Sequence, residues 1–507
     1  MRFLPVFLFT VTSLVCGIAS GADKPNIILI MADDMGWSDI GCYGSEIDTP
    51  NIDRIAREGM LFTQFYNNGK CTTTRASLLT GLYPRKGGKG IELLGPEMLT
   101  LGEGMRIAGY QTGLSGKWHN GSKQPHRPFD RGFDRSFGLW DGACNFFNPS
   151  IRDPEFKGGK RRFFGRNDEQ ITDFPNDFFT TDAFTDHALE TIRKQAAGEA
   201  PFFHYLPFTA PHYPLHARPE NIKKYAVKYS EGWDALRQRR YARQVEAGLI
   251  DPAVYPDPGH NPDNVNWEKG QNPDLRWETL RMETYAAMVD CMDQNIGRIM
   301  DLLDELKIAD NTMIIFLSDN GGCAETPGGN DTAQIPGPKD FYTHVGPNWA
   351  YAQNTPFRRY KAHTHEGGIA TPFVVRWPKK IPAASKSEQV GHIIDLLPTF
   401  LDVAGSTYPE SHNGNRLIPV EGISLLPALV APDKTIGREQ PLYWHWAKKR
   451  AVRKGDWKVV WEKKNWELYN LAENRTETKD LAQMEPERTA EMADLWEAWA
   501  DKTGVKY

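Results

Sequence analysis

The run from Asn26 to Ala32 is apolar almost without interruption and ends in Asp33-Asp34. A stretch of this length without polar alternation predicts a strand covered on both faces, as in a parallel sheet. Thr312 to Ser318 repeats the arrangement and ends in Asp319-Asn320. Open α/β sheets gather functional groups at the carboxyl ends of such strands, so both polar dipeptides are candidate site residues. Gln111 to Ser115, Phe202 to Pro207 and Pro372 to Trp377 are further predicted strands, each followed by a polar or Gly/Pro-rich loop. From Tyr285 to Leu306 the period changes: Tyr285, Met288, Met292, Ile296, Ile299, Leu303 and Leu306 share one helical face. The alternation predicts a large α/β sandwich.

Two regions depart from it. His216 to Glu283 mixes tryptophans, arginines and prolines with little clean period and is expected to be an insertion of helices and long loops. The composition shifts near Pro432 to Pro441, after which Ala451 to Trp461 and Trp466 to Leu471 read as short strands and Glu485 to Lys502 as an amphipathic helix. The expected organisation is a main domain over residues 23–435, with the insertion at 216–283, and a small antiparallel sheet-and-helix subdomain over 436–507.

A chain of 507 residues, 40% hydrophobic, can bury a large core. Its net charge of -5 gives no whole-protein field for polyanions, which argues against nucleic acid as a partner. An acidic substrate must therefore be met by a local basic site. Residues 1–22 carry Arg2, an apolar stretch from Phe3 to Val15, and then small residues including Gly17, Ala19 and Ala22. This is the pattern of a cleaved secretory signal peptide, implying a periplasmic or secreted protein. The run is shorter than the ~20 apolar residues of a spanning helix, and no later stretch is long enough, so stable membrane insertion is not expected. The six cysteines, Cys16, Cys42, Cys71, Cys144, Cys291 and Cys323, are too scattered to predict any pairing.

The candidate chemistry is concentrated in a few motifs. Asp33, Asp34, Asp319 and Asn320 offer oxygen ligands suited to a hard dication such as calcium or magnesium, and no His-rich or Cys-x-x-Cys cluster argues for zinc. The segment Cys71-Thr72-Thr73-Thr74-Arg75-Ala76-Ser77-Leu78-Leu79-Thr80-Gly81 places a reactive side chain four positions before an arginine, then an apolar helical run. Gly116-Lys117-Trp118-His119-Asn120-Gly121 follows a predicted strand, as does Ala210-Pro211-His212-Tyr213-Pro214. Lys361 lies four residues after Phe357 and precedes His365-Glu366-Gly367-Gly368. With Pro50-Asn51-Ile52-Asp53, Gly132-Phe133-Asp134 and Ser318-Asp319-Asn320-Gly321-Gly322, these segments in this order resemble the type I, formylglycine-dependent sulfatases of the alkaline-phosphatase superfamily. The likeness runs from about Pro25 to the C-terminal strands, and Asp141 to Asn145 and Trp233 to Ile250 look like bacterial arylsulfatase-type members.

The resemblance implies an α/β fold with a large central mixed sheet flanked by helices. It implies that Cys71 is oxidised by a separate formylglycine-generating enzyme to an aldehyde whose hydrate is the nucleophile. It also implies one calcium ion, held by Asp33, Asp34, Asp319, Asn320 and the modified Cys71. Arg75 is implied to steady the hydrate, Lys117 to bridge it and the sulfate, and His119 to take a proton from it. His212 and Lys361 are implied to bind sulfate and assist departure of the leaving oxygen. The implied activity is hydrolysis of sulfate monoesters, with a carbohydrate sulfate as substrate and aryl sulfates as test compounds. Phosphonate monoesters or phosphodiesters are the alternative substrates within the superfamily, and a non-catalytic sulfated-glycan-binding protein is the alternative of another class. Thr73 departs from the proline or alanine common in the family, which bears on how readily Cys71 is matured. The five basic residues between Lys157 and Arg166, without an acid, read either as a solvated loop or as a contact for a sulfated chain. Loops from Cys144 to Arg166 and after His216 are expected to line the pocket.

Overall fold

The first predicted strand, β1 (Asn26–Ala32), sits inside a mixed sheet of eleven strands among the described residues, which are 24–84, 94–267 and 274–506 of a computed structural model. The expected signal peptide, residues 1–22, lies outside them. The other strands are β2 (Met60–Tyr66), β3 (Gln111–Ser115), β4 (Arg135–Leu139), β5 (Phe164–Arg166), β6 (Glu169–Gln170), β7 (Phe202–Pro207), β8 (Thr312–Ser318), β9 (Ala370–Arg376), β10 (Ser385–Ser387) and β11 (Gly391–His392). Their order is β10-β2-β9-β8-β1-β7-β3-β4-β5-β6, with β11 also beside β2. β1 runs parallel to both β7 and β8, and β3 is parallel to β7. β9 is antiparallel to both of its neighbours.

The continuous apolar run of β1 reflects burial on both faces. Ile28, Ile30 and Ala32 join one core layer with Ala188 and Ile192 of α4 (Thr180–Ala196) and Met288, Met292 and Ile296 of α7 (Leu275–Glu305). Ile27, Leu29 and Met31 join the opposite layer with Leu78 and Leu79 of α2 (Cys71–Thr80) and Phe400. Each of the buried Ile, Leu, Met and Phe side chains contributes roughly 1.5–3 kcal/mol relative to exposure. Register then determines the site. Asn26 pairs with Thr312 and Ala32 with Ser318, so the polar dipeptides after β1 and β8 emerge side by side. The segments bearing Lys117 and His212 leave the sheet from the neighbouring strands β3 and β7.

Three expectations require correction. The long helix begins at Leu275, so the insertion does not extend to Glu283. Its first turns carry Arg276, Glu278, Arg281 and Glu283, paired among themselves, and these charges hide the apolar period. Ala451 to Trp461 is a hairpin of Lys449–Lys454 and Trp457–Glu462, turning at Gly455. The predicted strand Pro372 to Trp377 starts two residues earlier, at Ala370. The hairpin belongs to a four-stranded antiparallel sheet with Leu442–Trp446 and Asn465–Asn470, against which the helix Pro486–Thr503 packs through Trp496 and Ala500. No helix among the described residues is long and apolar enough to cross a membrane.

Candidate active site

α2 is buried on every side, and all ten of its residues are covered. Lys70 stands in extended conformation at its N-cap with no side-chain cap, leaving the first-turn N–H groups and the positive end of the helix dipole at Cys71. Burial pushes the Cys71 thiol up, against the pull of Lys117 and Lys361. Arg75, one turn on, is fully enclosed. Its Nε and Nη2 donate to Asp319 Oδ2 at 3.0 and 2.8 Å, and Nη1 donates to the Lys117 carbonyl at 2.9 Å. The guanidinium thus fastens Asp319 and the Lys117 backbone, where the sequence suggested direct contact with the nucleophile.

Asp33, Asp34, Asp319 and Asn320 meet as the strand register requires. The backbone N–H of Asp34 donates to Asp319 Oδ1 at 3.1 Å, and Asn320 Nδ2 donates to Asp34 Oδ1 at 2.8 Å. Lys117 Nζ lies 2.6 Å from Asp33 Oδ2, and Lys361 Nζ lies 2.6 Å from Asp34 Oδ2. Burial pushes the Asp33 carboxyl up, opposed by Lys117. Burial acts on Asp34 in the same sense, but His212, Lys361 and Lys117 hold it far below the usual carboxylate range. The Lys361 ammonium is disfavoured by burial, yet Asp34, Cys323 and Glu325 raise it well above a free lysine. The cluster is therefore densely cross-linked, with Asp34 held ionised by its cationic neighbours.

The fit of a cation can be judged from what this network leaves unmade. Asp33 Oδ1 and Asn320 Oδ1 are buried acceptors with no hydrogen-bond donor. His212 Nδ1 lies 2.5 Å from the Tyr213 carbonyl, so it carries the proton and donates. The Nε2 lone pair then faces Asp34 Oδ2 at 3.3 Å, and burial pushes this histidine well below its usual value, keeping it neutral. Asp33, Asp34 and His212 form the cluster best placed to hold an ion among the described residues. Buried acceptors without a hydrogen-bond donor and a bare imidazole nitrogen in one cluster are what a hard dication satisfies, so the residues fit. His212 joining the oxygen cluster was not foreseen from the sequence.

A pocket of about 310 Å³ opens beside this cluster. Cys71, His119, His212 and Lys361 line it, together with Lys70, Thr72, Gly142, Ala143, Lys157, Arg162, Tyr213, Glu325 and Trp446. Lys117 and Arg75 stand behind that wall. His119 has a left-handed backbone (φ 59°), and a Cβ at Gly142 would lie 2.4 Å from its ring, so glycine is required there. Gly116 combines φ 140° with a Cβ position 1.9 Å from the Pro207 carbonyl oxygen, which explains the glycine before Lys117. Burial, reinforced by Lys117 and Arg75, pushes His119 well below its usual value, leaving a neutral imidazole. His365 bonds Glu467 away from the pocket.

The sulfatase family profile matches residues 25–406. The chain belongs to the sulfatase family. A second profile, of the C-terminal region of N-sulphoglucosamine sulphohydrolase, matches residues 359–502. An uncharacterized sulfatase of Schizosaccharomyces pombe is 32% identical, with 95% of this chain and 94% of that one covered. The arylsulfatase of Klebsiella aerogenes is 31% identical, over 84% of this chain and 96% of that one. The N-acetylgalactosamine-6-sulfatase of Sus scrofa is 30% identical, over 85% and 70%. Among solved structures, Ps i-CgsB in complex with k-i-k-neocarrahexaose superposes with a TM-score of 0.70 at 27% identity, covering 94% of this chain and 93% of that one. The mixed α/β fold with its C-terminal antiparallel sheet is the fold these relatives share, and the enzyme is a sulfuric ester hydrolase that cleaves sulfate esters.

Several residues of this sulfatase pocket were invisible to sequence reasoning. Glu325 joins Lys70 and lies 3.4 Å from Lys361, and the Tyr213 hydroxyl donates to it at 2.9 Å. Burial would raise Glu325, but Lys361 and Lys70 hold it well below its usual value. Trp446 reaches the pocket from the C-terminal sheet, with Lys70 Nζ 5.4 Å from its ring centroid. Neither residue sits in a motif; their roles come from tertiary placement. Among the described residues, the insertion after His216, expected to line the pocket, supplies none of its lining. Arg240 of the insertion is bound to Asp39 and Glu46, and Arg237 to the carbonyls of Tyr351 and Pro356. These contacts draw its helix Gly232–Glu246 onto the shoulder behind the site.

Proposed function

We propose that this enzyme hydrolyses a sulfate monoester of a carbohydrate, with Cys71 converted to formylglycine and calcium held by Asp33, Asp34, Asp319, Asn320 and position 71. The observation that carries the reading is the convergence of Cys71, at an uncapped helix N-terminus, with orphaned buried oxygens and two lysines beside one pocket. Likeness to N-acetylgalactosamine-6-sulfatase and to a structure holding an oligosaccharide supports a sugar substrate. When formed, the aldehyde hydrate supplies an attacking oxygen that no ordinary side chain offers. A bound dication supplies charge stabilisation for that oxygen and for the sulfuryl group.

The chain's own residues complete the chemistry. Asp33 and Asp34 orient Lys117 and Lys361 so that their ammonium groups face developing negative charge. Arg75 holds Asp319 and the backbone at Lys117 in place. His119, neutral and with Nδ1 lacking a hydrogen-bond partner, is suited to accept a proton beside position 71. Both His212 and Lys361 line the pocket; Lys361, an ammonium, is suited to bind the sulfate and assist the leaving oxygen, while the bare Nε2 of neutral His212 faces the ion cluster. Export through the N-terminal leader, to the periplasm or outside the cell, completes the proposal, as does maturation by a formylglycine-generating enzyme.

The test is turnover of 4-nitrophenyl sulfate, with inorganic sulfate measured, against matched aryl phosphonate and phosphodiester substrates, on protein co-produced with a maturation enzyme. A preference for the sulfate supports the reading. A preference for phosphorus, or no turnover by protein carrying the aldehyde, overturns it.

A further inference from the structure

Five basic residues lie between Lys157 and Arg166, but they are not equivalent in space. Lys160, Arg161 and Arg166 are exposed, whereas Lys157 and Arg162 are half-buried in the pocket wall. Two features of this pair are unexplained by cleavage of a single sulfate. Arg162 is paired with Asp153 through one nitrogen, but its Nε is buried and has no hydrogen-bond partner. Lys157 makes no ion pair among the described residues; its ammonium donates to the Tyr213 hydroxyl at 3.4 Å and lies 5.1 Å from that ring's centroid.

Lys157 shares the Tyr213 ring with a lysine of the reaction centre. Lys361 Nζ lies 5.9 Å from the same ring centroid and is committed to Asp34. The pocket lining thus carries four cations, Lys70, Lys157, Arg162 and Lys361, against one acid, Glu325, which is shared between Lys70 and Lys361. One sulfate ester brings a single negative charge to the Lys361 side. It leaves Lys157 without an ion pair and the Arg162 Nε–H unsatisfied.

We infer that Lys157 and Arg162 form a second anion subsite, so that the substrate is a saccharide bearing, besides the ester that is cleaved, a second sulfate or a carboxylate on the same or the adjoining sugar. The inference rests on the sulfatase reading of the site and specifies its substrate class. An anion here would accept from the orphan Arg162 Nε and pair with Lys157 in a partly desolvated setting, where charge-assisted bonds are strong. Burial, followed by Arg162 and Lys361, lowers the Lys157 ammonium, and a bound anion relieves that strain. Trp446, also on the pocket wall, offers an apolar face for the sugar ring. An isolated aryl sulfate cannot reach both regions.

The experiment measures competition against 4-nitrophenyl sulfate turnover by disaccharides supplied as matched monosulfated and disulfated pairs, and by monosulfated disaccharides with and without a uronate carboxylate. In the wild type the dianion of at least one pair should inhibit about tenfold more strongly than its monoanion. In Lys157→Gln and in Lys157→Ala/Arg162→Ala that ratio should fall toward one. The ratio is taken within each variant, so a general loss of activity does not mimic the effect. Lys157→Gln, at a half-buried position without an ion pair, covers the case in which the double variant fails to fold. Equal inhibition by every pair in the wild type, or a ratio unchanged by Lys157→Gln, overturns the subsite. Absence of aryl sulfate turnover by the matured wild type would instead overturn the parent reading.

Discussion

The enzyme contains two buried clusters of charge that look alike in composition and differ in completeness. At the seam between the central sheet and the C-terminal sheet, Lys458 bridges Glu366 and Glu477 at 2.7 and 2.8 Å. The remaining oxygens of those acids accept from the Tyr66 hydroxyl and the Glu366 backbone N–H, with Arg475 also paired to Glu366. Every carboxylate oxygen there has a donor from the protein. At the strand ends, Asp33, Asp34 and Asp319 meet Lys117, Lys361 and Arg75 at similar distances, but Asp33 Oδ1 and Asn320 Oδ1 have none. The seam cluster answers every carboxylate oxygen, although the Arg475 nitrogens make no hydrogen bond among the described residues, and it fixes two parts of the fold against each other. The strand-end cluster is open, beside a pocket, with acceptors left free for the ion proposed there.

Perturbing the two clusters should separate activity from stability. Cys71→Ala is expected to lower aryl sulfate turnover by about 10³-fold or more while leaving the melting temperature near that of the wild type; retained activity would remove position 71 from the mechanism. Lys458→Ala should do the reverse, costing about 3–5 kcal/mol in denaturant unfolding because two buried carboxylates lose their shared partner. The fraction that remains folded should keep its turnover number, and a lost turnover number with unchanged stability would erase the distinction drawn between the clusters.

Calcium should sharpen the contrast. At about 100 times its dissociation constant it is expected to stabilise the enzyme by about 2.7 kcal/mol in thermal melts. Asp34→Asn should abolish most of that gain, and Lys458→Ala should preserve it. A gain unaffected by Asp34→Asn would place the ion elsewhere.

A pH-dependent effect comes from neutral polar groups that belong to neither cluster. His187 and His204 share the Ser115 hydroxyl, at 2.7 and 3.0 Å, and burial holds both rings at about 3. Their folded values lie below the unfolded one, so the unfolded chain binds more protons between about pH 6.5 and 3. Stability is therefore fully present above pH 6.5 and falls as the solution is acidified, by up to about 1.4 kcal/mol per pH unit for each histidine. Unfolding free energies measured across this window should show that slope, and a flat profile in His187→Gln should be closer than in the wild type.

What the sequence revealed follows from the same physics. β1 and β8 were legible because burial on both faces leaves an unbroken apolar run, and their polar ends marked residues that do cluster, without any view of the register. β2 was not, since Thr63 and Gln64 interrupt it at an irregularity between Phe62 and Phe65. Cys71, His119, His212 and Lys361 were legible as members of ordered motifs and do meet at one pocket. Glu325 and Trp446 carried no local signal, because each reaches the pocket from a segment whose own pattern is that of a loop or a hairpin strand. The true direction of Arg75, inward to Asp319, is likewise a matter of helix rotation against neighbours.

The most direct test is peptide mass spectrometry at position 71 of the native, active enzyme. The account predicts the aldehyde or its hydrate there, in proportion to specific activity; an unmodified thiol in protein that releases sulfate at full rate would contradict it.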